Sequence, residues 1–99
     1  MNWFSAKLLF AAFIDGRLNS DALVEESIII FRATTAAAAS IQADELGQKA
    51  THSYKNEVNE EVEWRYIRLL EIQDLGETTL DDGVEVFSTM RRRSPEDEL

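Results

Sequence analysis

From Trp3 to Ile14 nearly every position is apolar, with Ser5 and Lys7 as the exceptions, and a β-branched run comes next in "SIIIF" from Ser27 to Phe31. Both stretches read as strands. Between them Asp15-Gly16, a pair that tolerates positive φ, predicts a hairpin turn, and the polar "RLNSD" delays re-entry until Ala22. The expected product is an antiparallel pair with a loose connection.

The next segment, "TTAAAASIQADELGQKA", is rich in helix formers; Thr34 or Thr35 can cap its first amides, and Gly47 stands where a left-handed end is expected. Its large apolar side chains are Ile41 and Leu46, so alanine methyls must supply most of its contact. Such a helix lies close to a sheet but contributes little burial energy. "THSYKNE", Thr51 to Glu57, reads as a polar edge strand closed by an "NEE" turn.

Val62, Trp64 and Tyr66 then alternate with Glu61, Glu63 and Arg65, the period-two signature of a strand with one buried face. Past Tyr66 the apolar residues Ile67, Leu69, Leu70 and Ile72 break that phase, which predicts a bulge or burial on both faces. A helical stripe through Val62, Tyr66, Leu69, Leu70 and Gln73 competes, but the Val, Trp, Tyr and Ile content favours extended backbone. Asp82-Gly83 is a second hairpin signal and Val84 to Met90 a final strand; "RRRSPEDEL" has the composition of a disordered tail.

The expected fold is α+β: an antiparallel sheet of about five strands, in the order β-β-α-β-β-β, with one Ala-rich helix packed on one face. Residues 1–90 form the single domain and 91–99 the tail. This arrangement leaves an imbalance. Leu8–Ile14 and Ile28–Phe31 are apolar on both strand faces, and one short helix covers only one. The other must be shielded by curling of the sheet, by the C-terminal strand, or by another chain.

Composition narrows the functional classes. The chain has 99 residues and a net charge of −9, and between Glu57 and Glu85 ten carboxylates stand against Arg65 and Arg68 alone. Such a balance repels phosphate, so no nucleic acid is expected, and a partner with a basic surface fits better. With no cysteine and one histidine, neither a disulfide nor a zinc or copper set is expected, no cofactor is implied, and a reducing cytoplasmic setting fits. The opening "MNWFSAKLLFAAFIDG" makes a poor secretory leader, because Lys7 abuts a short apolar run with no small-residue cleavage site after it. A membrane span needs about 18 consecutive apolar residues, more than any run here offers.

Candidate chemistry is sparse. His52 and Tyr54 would share a strand face, and Glu63 from the adjoining strand with Trp64 beside it would complete a pocket, since a catalytic histidine needs an orienting partner. A surface histidine is the commoner case, and no catalytic residues are assigned. Glu25 and Glu26 would point to opposite faces, so they make no hard-cation site. Trp3 and Trp64, without arginines clustered around them, read as core rather than as stacking platforms. Arg91, Arg92 and Arg93 beside Ser94 form a basic spot that Glu96, Asp97 and Glu98 nearly cancel.

"WFSAKLLF" (Trp3–Phe10), "VEESIII" (Val24–Ile30), "SYKNEVNEEVEWRYI" (Ser53–Ile67) and "DGVEVFS" (Asp82–Ser88) together resemble a bacterial family known as domain of unknown function 4288. The likeness spans nearly all of residues 3–90 and leaves the tail outside. It implies a compact, single-domain, cytosolic bacterial protein, and it carries no assigned activity. The leading expectation is a small protein-interaction module, self-associating into a homo-oligomer. It would be an accessory or immunity-type protein that binds a basic partner through Glu57, Glu60, Glu61, Glu63 and Trp64. The alternative is a small enzyme or ligand-binding domain with its pocket near His52, Tyr54, Glu63 and Trp64.

Overall fold

A computed structural model describes residues 1–76, 79–90, 92–93 and 95–97. The elements are β1 (Asn2–Ile14), β2 (Val24–Ala33), α1 (Ala36–Lys49), β3 (His52–Lys55), β4 (Glu61–Gly76) and a 3-10 turn, η1 (Pro95–Asp97). The sheet is antiparallel in the order β2-β1-β4-β3, and α1 carries the chain across one face from the β2 edge to the β3 edge. The α+β class therefore holds, with four strands among the described residues instead of five.

The difference lies in Val84–Met90. The expected turn before it exists, closed by Val84 N–H donating to the Asp81 carbonyl at 3.2 Å, with Gly83 at φ 86°. Residues 84–90 nevertheless form no strand. Phe87 lies beneath the Lys7 ammonium at 4.6 Å, and the Ser88 carbonyl accepts from Gln73 Nε2 at 2.7 Å. Those partners belong to the two central strands, so the segment crosses a face of the sheet, where no free ladder is available to extend it. Of the expected tail, Arg91, Ser94, Glu98 and Leu99 lie outside the described residues.

Local chemistry explains the elements. Asp15 and Gly16 both take positive φ, 49° and 79°, and Ile14 and Arg17 exchange backbone hydrogen bonds at 2.9 Å, closing the two-residue hairpin that Asp-Gly favours. Thr35 caps α1, its Oγ1 accepting from the Ala38 amide at 3.1 Å. Gly47, expected to end the helix, sits inside it instead, and the C-cap is Ala50 in right-handed geometry. A Cβ at Gly47 would stand 2.5–2.8 Å from the Tyr66 ring. The glycine serves a close approach to β4, not a turn.

The phase break in β4 is a set of bulges. Its pairing with β1 shifts register after Trp3, Lys7 and Leu9 of β1, skipping Leu75, Leu70 and Ile67 on β4. The extra residues Ile67 and Leu70 return apolar side chains to the helix side, so Trp64, Tyr66, Leu69 and Ile72 all pack against the core, and every bulge increases the local twist. The core itself is Phe4, Ala6, Leu8 and Phe10 of β1, Phe31 and Ala33 of β2, and Ala39 and Ala43 of α1. Ile41 points outward, 64% exposed.

Candidate functional site

The face of the sheet away from the helix is the unsatisfied one. Along β1 it presents Trp3, Ser5, Lys7, Leu9, Ala11 and Phe13, by strand alternation from the buried Phe4–Phe10 set. Its aromatic rings are covered by cations. The Arg32 guanidinium stands 5.5 Å from the Trp3 ring, and that of Arg65 stands 4.0 Å from Phe13 and pairs with Glu63. Together with the Lys7–Phe87 contact, these make a ladder along the central strand. Ser5, fully buried beneath it, has no hydrogen-bond partner for its hydroxyl among the described residues.

The covering stops at β2. Val24, Ile28 and Ile30 lie on the same outer face and are 63%, 49% and 41% exposed. Glu26 and Arg32 flank the isoleucines at alternate positions and are exposed as well. β2 is also an edge of the sheet, so its outer backbone groups pair with no strand among the described residues.

The carboxylates singled out from sequence are dispersed. Glu57 and Glu60 belong to the β3–β4 turn, which Asn56 organises: its side-chain oxygen accepts from the Val58 and Glu60 amides at 3.1 and 2.9 Å, and its amide nitrogen donates to Glu60. The Glu61 backbone is tied to Asp15 by two hydrogen bonds, of 2.8 and 2.9 Å. Glu63 lies on the outer face with Arg65, whereas Trp64 faces the helix side and packs on the core. Asp81 and Asp82 lie past the far end of β4. The described carboxylates of the acidic half thus run from the turn before β4, along the strand at Glu61, Glu63, Glu71 and Asp74, to the turn beyond its end.

His52 and Tyr54 do share a face, with rings 6.4 Å apart and 21° from parallel. They pair with Trp64 and Val62, while Glu63 pairs with Ser53, so His52 and Glu63 project from opposite faces. His52 is oriented by a backbone group: Nδ1 lies 3.1 Å from the Ala50 carbonyl oxygen, which only accepts, so the ring carries a proton on Nδ1. A surface depression beside Tyr54 is lined by Tyr54, Lys55, Asn56, Glu57 and Val58 and takes in neither Glu63 nor Trp64. Among the described residues no group of three His, Asp or Glu side chains is placed to hold a metal ion. No helix among them is long and apolar enough to cross a membrane.

Among the described residues the one strongly perturbed acid is Tyr66, which the sequence pattern places only as a strand residue. Burial pushes its phenol well above the ordinary tyrosine range, and Asp44, which accepts its hydroxyl at 2.5 Å, adds to the rise by hydrogen bonding and by charge. An unfolded tyrosine ionises near about pH 10, whereas folded Tyr66 keeps its proton beyond that. Stability from this site is thus full below about pH 10 and is lost as pH rises further. Urea midpoints measured between about pH 9 and 11 should fall more steeply for the parent than for Tyr66→Phe. Parallel curves would show that the phenol has no role in alkaline unfolding.

Family membership rests on a match between the domain of unknown function DUF4288 and residues 3–88. The chain belongs to this family. The match takes in all four strands, the helix and the crossing segment up to Ser88, so the fold is that of a DUF4288 domain. No curated protein and no solved structure matches the chain.

Several structural residues of this DUF4288 domain are not evident from its sequence pattern. Asn56 carries a usable signal, because Asn heading a polar turn commonly bonds the backbone two residues on. Asp44, Gly47 and Tyr66 carry none, since their association depends on how α1 crosses β4.

Proposed function

We propose that this DUF4288 domain is a non-enzymatic interaction module that self-associates through the uncovered flank of its sheet. The observation that supports it is the outer face of β2, where Val24, Ile28 and Ile30 stand exposed at an edge with no strand beside it among the described residues. The two isoleucines flanked by Glu26 and Arg32, with Val24 beyond Glu26, have the make-up of an association surface. Residues 84–90 reach the Lys7 and Gln73 region of the same face, and no described contact extends their cover to β2.

An accessory role toward a protein with a basic surface is compatible with this reading. Glu57, at the β3–β4 turn, is exposed at the opposite end of the strand order from β2. Self-association at β2 would leave it free. The pocket reading is not favoured, because His52 and Glu63 project from opposite faces.

Size-exclusion chromatography with light scattering tests the proposal. A dimeric mass is expected at high micromolar concentration, and Ile28→Asp should shift it to monomer without loss of the far-ultraviolet circular dichroism. A parent chain that stays monomeric up to its solubility limit would defeat the proposal.

A further inference from the structure

We infer that the occupant of this edge is a second copy of the chain, joined by antiparallel pairing of β2 with β2 about a two-fold axis at Ile29, so that two four-stranded sheets become one. The inference rests on the self-association reading and adds its register. A two-fold axis keeps each face of the sheet continuous, so a residue must oppose one of its own strand face. The central registers are therefore those centred on Ser27, Ile28, Ile29 or Ile30.

Charge separates them. A Ser27 centre puts Glu26 opposite Ile28, an Ile28 centre puts Glu26 opposite Ile30, and an Ile30 centre puts Arg32 opposite Ile28. Only the Ile29 centre sets Glu26 against Arg32 of the other copy at both ends and Ile28 against Ile30 twice between them, all on the outer face. Within one chain these charges are six residues apart on a strand, about 20 Å, so neither can satisfy the other. Contact with the Trp3 ring already places the Arg32 guanidinium on this face.

The two edges of the sheet are also built differently. β3 is only four residues long, is exposed throughout and ends in Lys55, the features that discourage edge pairing. β2 runs ten residues with neither lysine nor proline and pairs with β1 without a register shift, leaving a regular outer edge.

Two charge reversals and their mixture test the register. Glu26→Arg alone or Arg32→Glu alone places like charges opposite each other twice, and each should weaken dimerisation by about 30-fold. Mixing the two chains in equal amounts should restore the dimer as a heterodimer, because every opposing pair is then complementary. Both positions are exposed, so circular dichroism should be unchanged. A parent dimer whose mass is unaffected by either reversal, or singly weakened variants that mixing does not rescue, would overturn the register while leaving self-association standing. A monomeric parent would overturn both.

Discussion

Truncating Phe4 to alanine should lower the free energy of unfolding by about 4 kcal/mol. Phe4 is 2% exposed and stacks on Phe31, with ring centroids 6.3 Å apart and planes 21° from parallel. Much of what surrounds it is small: Ala6, Ala33, Ala39 and Ala43 belong to the same buried cluster and have no longer rotamer with which to fill a void. The lost transfer energy and the residual cavity therefore add. A domain of this size has only about 5–15 kcal/mol in hand, so the variant should still fold but with a much reduced margin. Urea unfolding checks this: the midpoint should drop with an unchanged slope. A loss under about 2 kcal/mol would mean that Phe31 collapses into the space and that the alanine-lined core is more pliable than its packing suggests.

The same alanines explain which parts of the fold are readable in advance. Strand identity is legible in the nearly continuous apolar run Trp3–Ile14, in the β-branched Ser27–Phe31 and in the alternating Val62–Tyr66, because such patterns report a pleated, buried surface. The bulges are legible only as a lost phase after Tyr66. Which residue is skipped depends on the partner strand. Val84–Met90 has strand-like composition yet lies across a face, since composition does not say whether a segment runs along an edge or over the sheet. Gly47 misleads for a related reason: a glycine near a helix end suggests a left-handed turn, and the ring that requires it is 19 positions further along the chain.

The surface divides in the same way. That the two front strands are apolar on both faces, with one helix to cover them, is readable from sequence and points to the exposed side of β2. How much of that face the chain covers for itself is not. The cations over Trp3, Phe13 and Phe87 come from three different segments, and no local pattern pairs them. Net charge is readable, but its layout is not. Glu63 and Trp64 are neighbours in sequence and point to opposite faces, which is the ordinary consequence of a strand.

Gly47→Ala should destabilise the domain by about 2 kcal/mol, although alanine is the better helix former by about 1 kcal/mol. The added methyl would stand 2.5 Å from Cδ1 and 2.8 Å from Cγ of Tyr66, inside the contact limit for a part of the ring that cannot swing away freely. The ring is held on two sides, by its hydroxyl on Asp44 and by Phe10 at 5.7 Å between centroids. Relief must then come from separation of α1 and β4, which weakens the contacts that Ala39 and Ala43 make beneath the helix. A double-mutant cycle isolates the cause. In a Tyr66→Ala background, itself destabilised, the clash is gone and Gly47→Ala should become stabilising by about 1 kcal/mol through helix propensity alone. Thermal or urea unfolding of the four chains reads this change of sign. If Gly47→Ala has the same effect in both backgrounds, the close approach of helix and ring is not what places glycine there.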